Sequence, residues 1–293
     1  MAALLVARVS ALSVSQKIAR FRAIARDEGS DEAWAAMRFW LRMQLGLRVH
    51  DPVEDRRVVL ARRIERIFGS TVAHGPFAGL KLAGDSWWGG ADRAAMLLGL
   101  YEQDLLHALI AVPDRYRLFV DLGAADGYYG IGMLLNGRFD TSWCFEINPK
   151  GREVIARNAA LNGVAERVVI EGEALPDFHT RLSDAERAQT VLLVDIEGGE
   201  FGLLTADVFR AFSGAMIFIE VHDWAVKDGA RKLAGLRADA AQTHDIKVIR
   251  TGARDLSGFA ELQGWTDTDR WLLCSEGRPE LMQWLQLTPR TGA

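Results

Sequence analysis

Cysteine is nearly absent from the 293-residue chain. Cys144 and Cys274 are the only two, each inside an apolar segment and neither at metal-ligand spacing. That usage excludes a disulfide-stapled scaffold and a cysteine metal site, and leads to the expectation of reduced core residues in a cytoplasmic protein. Long apolar runs are also missing: none reaches the roughly 20 residues that a membrane-spanning helix needs. The opening stretch MAALLVARVSALSVSQKIARFRAIAR is mildly apolar. Arginines recur through it, however, and no small-residue cleavage site follows a clean apolar block, so a secretory signal is not expected. No internal repeat or low-complexity tract is visible.

What is present fits one large α/β unit with an attachment. The chain is 49% hydrophobic and 25% charged, with a net charge of −4, enough for a sizeable core. The charge is uneven. Residues 1–67 hold thirteen Lys/Arg against eight Asp/Glu, so the remainder carries −9. A modestly basic helical arm is suited to an anionic partner such as nucleic acid, a lipid head group or a sugar nucleotide. The interspersed charges read equally as a solvated helix face.

Periodicity predicts three leading helices, Ser13 to Asp27, Glu32 to Leu47 and Val53 to Phe68, separated by turn and cap residues at Gly29-Ser30-Asp31 and His50-Asp51-Pro52. A hairpin and aromatic loop are expected in TVAHGPFAGLKLAGDSWWGG, and a helix over 91–111. From Arg117 the pattern changes. Apolar, β-prone runs at 117–122, 142–147, 166–171, 190–196 and 215–221 alternate with helical or loop segments, as buried parallel strands do. DIKVIRT (245–251) and DRWLLCSE (269–276) are expected to add further strands. The predicted architecture is a doubly wound, Rossmann-like, mostly parallel sheet. Residues 1–68 form a helical N-terminal region, 69–116 a lead-in, and 117–293 the core.

A first chemical signal is LFVDLGAADGYYGIGMLL, where four glycines follow a strand. A dinucleotide fingerprint G-x-G-x-x-G fails here, since Ala125 and Tyr128 stand at its second and third glycines, and a phosphate loop fails for want of a lysine. What stands is D-x-G-x-x-x-G. An acidic Asp121 at a strand end suits a cation better than a pyrophosphate. S-adenosylmethionine carries a sulfonium and an ammonium group, and Gly123 and Gly127 would let backbone pass close beneath it. Glu146 ends the second strand, twenty-three residues past Gly123, where a carboxylate accepts both ribose hydroxyls. A nicotinamide site shares that feature. After the third strand, Glu173 and Ala174 are placed to meet an adenine edge.

Read together, these segments resemble the class I S-adenosylmethionine-dependent methyltransferases, and more narrowly the FkbM-type family. FVDLGAADGYYG resembles its glycine loop. FEINP with NAALNG resembles its second strand and helix, VDIEGGEFGLL its D-x-E-G-x-E segment, and IFIEVH its fifth strand. The likeness covers roughly residues 70–285. Ala125, Asp126 and Glu173 depart from the commoner residues. The resemblance implies a methyltransferase fold and transfer of a methyl group to a hydroxyl of a sugar, glycan or secondary metabolite. It implies cofactor contacts from Asp121, Gly123, Ala124, Ala125, Gly127, Tyr128, Glu146, Ile147, Glu173, Ala174 and Asp195. Tyr101-Glu102, about twenty residues before the glycine loop, reads as closing over the methionine end of the cofactor or, equally, as ordinary helix packing.

Acidic groups at the ends of strands four and five surround the expected acceptor position: Asp195, Glu197, Glu200, Glu220 and His222. Two mechanisms can be built. His222 acts as a general base oriented by Glu220 or Asp195, or Asp195 and Glu220, with His222 or Asp223, hold Mg2+ that acidifies the acceptor. The first is preferred. Glu197 and Glu200 also read as helix N-terminal acids. Trp87-Trp88 is a candidate acceptor wall, and His74, His107 and His179 read as structural. The partners expected are a small-molecule or glycan acceptor and a second copy through the N-terminal helices, with no nucleic acid. The rivals are an NAD(P)-dependent oxidoreductase and a catalytically silent S-adenosylmethionine-binding module.

Overall fold

A computed structural model describes residues 14–27, 29–45, 51–278 and 281–290 of the chain. Three helices lead, α1 (Val14–Asp27), α2 (Ser30–Gln44) and α3 (Pro52–Phe68). Ser13, Gly46, Leu47 and His50, which fall within the helix and turn expectations, lie outside the described residues, as does the first part of the opening stretch. The start of α3 follows from chemistry legible in the sequence. Asp51 accepts from the N–H groups of Val53 (3.0 Å) and Glu54 (3.3 Å), Pro52 occupies the first turn, and Glu54 and Asp55 complement the helix dipole.

The expected helix over 91–111 is two helices, α4 (Arg93–Leu98) and α5 (Gln103–Ile110). Gly99 breaks them apart at φ +71°, a left-handed cap. A Cβ there would lie 2.5 Å from the carbonyl carbon of His74, so the chain must both turn and pass close. The expected hairpin reduces to one isolated bridge, Thr71 with Lys81, plus flanking backbone hydrogen bonds such as Val72 N–H to Leu80 O at 2.8 Å.

The core sheet holds β1 (Leu118–Leu122), β2 (Thr141–Phe145), β3 (Val168–Glu171), β4 (Thr190–Val194), β5 (Met216–Glu220), β6 (His244–Arg250) and β7 (Gln283–Pro289), in the order β3-β2-β1-β4-β5-β7-β6. The first five pair in parallel, while β7 runs antiparallel to both β5 and β6. Between them run α6 (Tyr128–Leu135), α7 (Pro149–Leu161), α8 (Asp184–Ala188), α9 (Glu200–Leu203), α10 (Ala206–Ala211) and α11 (Gly229–Ala240), and α12 (Asp267–Cys274) precedes β7. This is the expected doubly wound, Rossmann-like sheet. Every residue of β1, β4 and β5 is buried, because helices cover both faces. Phe119, Leu193 and Phe218 face one helical layer, and Val120, Leu192 and Ile217 the other. Each such side chain contributes about 2 kcal/mol by leaving water.

The run 269–276, expected as a strand, is helix α12. Thr266 caps it by accepting from Asp269 N–H at 3.2 Å, and Asp267 and Asp269 sit in its first turn. Arg56 of α3 grips Asp269 through two hydrogen bonds of 2.8 and 2.7 Å, which fixes the helix against α3. The last strand is instead β7, whose Trp284, Leu285 and Leu287 are buried.

Candidate active site

In doubly wound sheets the crevice for ligands lies beyond the carboxyl ends of the strands, where the strand order reverses. Here that point falls between β1 and β4. The two strand ends approach so closely there that a Cβ on Gly123 would lie 2.8 Å from the carbonyl carbon of Asp195 and closer still to its oxygen. With φ at +90°, Gly123 is required on both counts.

A cavity of about 500 Å3 opens at this point. Of the residues expected to bind a cofactor, Gly123, Ala125, Glu146, Ile147, Glu173, Ala174 and Asp195 line it, together with Trp87 and Trp88. Its size falls in the usual range for small-molecule sites. Glu146, at the end of β2, is buried. Its Oε2 accepts from Ala125 N–H at 2.9 Å and its Oε1 from Asn148 N–H at 2.7 Å. Burial pushes its pKa up against the pull of those two N–H groups. Each oxygen keeps a second lone-pair direction for a ligand hydroxyl. Ile147 and Leu175 are exposed apolar residues on the same wall, a surface suited to a flat apolar ring.

Other expected contacts do not reach this cavity. Asp121 is buried beneath α6, where its carboxylate accepts from Gly130 N–H. Burial pushes its pKa up to about 7, and Glu146 adds to the rise. Strand alternation sends the Asp121 side chain under the glycine turn, away from the cavity. Ala124, Gly127 and Tyr128 likewise pack inward. Tyr128 is buried against Phe77 and Tyr101. Glu102 is buried and bound by Tyr129, Arg278 and Trp284 rather than free to cover a ligand.

A second cavity, about 300 Å3, meets the first at Trp88, Asp195 and Glu197. Asp92, Tyr101, Glu220, His222, Trp224, Glu276, Arg278 and Met282 complete it. His222 is buried, with Nε2 3.6 Å from Asp195 Oδ1, 3.6 Å from Glu197 Oε2 and 3.5 Å from Glu220 Oε2. Glu200 does more than complement a helix N-terminus. Fully buried, it accepts from the backbone N–H of His222 (2.9 Å) and of Gly198 (2.8 Å), locking the end of β5 to the turn after β4. Burial lowers the His222 pKa, but Glu200, Glu220 and Glu197 outweigh it, and the net shift is upward. Burial raises Asp195 to about 7 and Glu220 well above the carboxylate range.

Arg278, missed in the sequence, organises this chamber. Its guanidinium bonds Glu220, Glu102 and Glu276, the last at 2.9 Å, and Arg254 holds Glu276 from the other side at 2.6 Å. Burial is the largest influence on the Glu102 pKa and raises it, Arg278 opposes it, Glu220 and Glu276 add to the rise, and the value settles at about 8. Among the described residues, four non-glycines adopt left-handed backbone: Glu102, Ala125, Glu197 and Asp228. Ala125 and Glu197 line the cleft and Glu102 lies behind it, each beside a carboxylate that ties the local backbone. Such strain concentrates where a site dictates geometry. His74, read as structural, sits 3.6 Å from Glu261, away from the cleft.

Asp195, Glu220 and His222 each offer a ligand atom within 4.8 Å of the others, the one such group among the described residues. Arg278 argues against a divalent ion there. It already bonds Glu220, lines the same chamber and supplies the positive charge a metal would bring. The set fits a proton-sharing cluster better than a magnesium site, which calls for several free oxygen ligands.

No family model matches the chain, and no curated protein matches it. Solved structures do. The C-terminal domain of precorrin-6Y C5,15-methyltransferase from Rhodobacter capsulatus is 15% identical, covers 64% of this chain and 88% of its own, and gives a TM-score of 0.39. A geranyl diphosphate methyltransferase, solved with GPP and sinefungin, is 15% identical, covers 82% of this chain and 100% of its own, with a TM-score of 0.43. A precorrin 8W decarboxylase from Methanobacterium thermoautotrophicum is 16% identical, covering 63% of this chain and 88% of its own, with a TM-score of 0.39. The likeness concerns the fold alone. No helix among the described residues is long and apolar enough to cross a membrane.

Proposed function

We propose that the protein is an S-adenosylmethionine-dependent O-methyltransferase of FkbM type acting on a hydroxyl of a sugar, glycan or secondary metabolite. One observation carries the reading: a cavity at the strand-order reversal, with the Glu146 carboxylate in its wall, shares Asp195 and Glu197 with a chamber that holds a buried histidine. The ordered motifs from Asp121 to His222 support the narrower family.

When bound, S-adenosylmethionine supplies a methyl group already activated by its sulfonium. Glu146 would accept from the ribose hydroxyls, and Ile147 and Leu175 would flank the adenine. Asp195, at the junction, would face the positive charge in place of Asp121. His222 Nε2 would take the proton of the acceptor hydroxyl, readying its oxygen for the methyl group, and Asp195, Glu197 and Glu220 would stabilise the resulting imidazolium. Glu200 positions the ring through the His222 backbone. No metal enters this scheme.

Calorimetric titration with S-adenosylhomocysteine tests the donor pocket. Binding by the wild-type protein, with roughly a hundredfold loss in Glu146→Ala, is expected from losing charged hydrogen bonds worth about 1.5–3 kcal/mol. Equal affinity in both proteins, or tighter binding of NADH than of S-adenosylhomocysteine, sinks the assignment. Methyl transfer to candidate acceptors should survive EDTA; its abolition and rescue by magnesium would reverse the preference for base catalysis.

A further inference from the structure

The helices α1 and α2 take no part in the cleft, yet α2 carries an apolar stripe that the described residues leave in solvent. Trp34, Leu41 and Leu45 are 57%, 50% and 66% exposed, and their spacing of seven and four places them on one helix face. The opposite side of α2 is spoken for, since Trp40 packs edge-on against Phe21 of α1 at 6.5 Å and Ile24 of α1 is buried. Arg38 and Arg42, both exposed, flank the stripe. On α1 the pairing recurs, with exposed Ile18 one turn before exposed Arg22. In the sequence the acids of the segment fall together at Asp27, Glu28, Asp31 and Glu32, away from the stripe's C-terminal two thirds.

We infer that this face is a docking surface for an anionic lipid bilayer, on which the protein lies peripherally. An apolar ridge with Trp and Leu, rimmed by arginine and set on a helix too polar to span, is the pattern of an interfacial helix. Charge complementarity selects the occupant. The two helices, residues 14–44, hold six Lys/Arg against four Asp/Glu in a chain of net −4. A second copy would bring the same arginine rim against itself, whereas anionic head groups attract it. A nucleic acid would satisfy the arginines and leave Trp34, Leu41 and Leu45 in water. The inference is independent of the methyl-transfer chemistry.

Sedimentation of the full chain with vesicles tests it. Binding to phosphatidylglycerol/phosphatidylcholine vesicles should exceed binding to phosphatidylcholine alone and weaken in high salt. Trp34→Ser/Leu41→Ser/Leu45→Ser should lower partitioning on the order of tenfold or more. Arg38→Glu/Arg42→Glu, which leaves the apolar ridge intact, should act on the same order, chiefly at low salt. Circular dichroism checks that both remain folded. Absence of anionic-vesicle binding overturns the inference, as does full binding by the triple variant. So does a wild-type dimer, seen by light scattering, that the triple variant splits while vesicles bind neither.

Discussion

Gly123→Ala isolates the steric demand on which the cleft is built. Two costs add. The residue sits at φ +90°, where an L side chain is strained by about 1 kcal/mol. The new methyl would also press on the Asp195 carbonyl, its Cβ 2.8 Å from the carbon. That neighbour is backbone of the adjacent strand and cannot swing away as a flexible side chain would, so a further roughly 1–3 kcal/mol is expected. Gly137→Ala is the control. Its φ is +81°, but nothing lies within 4 Å of the added atom, so it bears the strain alone. Thermal melts should therefore place Gly123→Ala about 5–10 °C below wild type and Gly137→Ala only about 2–4 °C below. S-adenosylhomocysteine affinity should fall in the first variant only, because relief of the clash parts β1 from β4 at the mouth of the larger cavity. Melting of the two variants within a degree of each other would refute the close-approach argument.

The buried acids make stability depend on pH. Folded pKa values of about 7 for Asp121 and Asp195 and about 8 for Glu102 lie above their unfolded values, so the stability they contribute is complete below about pH 4 and is lost as pH rises through 7 and 8. The melting temperature should fall between pH 5.5 and 8.5, and Asp121→Asn should flatten that fall by roughly several °C; an unchanged slope contradicts the burial reading. Arg278→Met removes the cation shared by Glu102, Glu220 and Glu276, with an expected loss of about 3–5 kcal/mol at pH 8 in urea unfolding and less at pH 5.5, where the orphaned acids take up protons. Equal losses at both pH values would speak against it. His222→Ala should lower kcat by about 10^2–10^4 while sparing S-adenosylhomocysteine binding. Since His222 must be neutral to accept a proton and its pKa is raised, wild-type kcat should climb with pH past the ordinary histidine range; a flat profile there argues for another base.

The parallel part of the sheet was legible because its signal is local. Runs such as TVLLV and MIFIE are apolar on both faces, and only strands covered by helices on both sides read that way. Helix α3 was legible for a similar reason, with Asp51 and Pro52 adjacent to the turn they cap. The misreading of 269–276 shows where locality fails. WLLC is β-prone by composition, and what makes it helical is Thr266 upstream and Arg56 reaching Asp269 from more than two hundred residues away. QWLQLTP was passed over because its alternation is short and its partner β5 lies far back in the chain.

The cleft divides along the same line. Glu146, Asp195 and His222 stand at strand ends, and a strand's end points into the crevice whatever the rest of the chain does. Asp121 stands one residue before its strand's last position, so alternation turns it under the helix, and the sequence motif could not distinguish a carboxylate aimed at a ligand from one aimed at a glycine N–H. Arg278 had no local signal at all. Its partners Glu102 and Glu220 lie 176 and 58 positions away, in a lead-in helix cap and at the end of β5, so only the tertiary fold brings the three together. The acids of the chamber were therefore readable as a cluster, while the cation that makes their burial tolerable was not. A buried cluster of this size is itself the reason to look for such a cation, because without one the carboxyls would be left uncompensated in the interior.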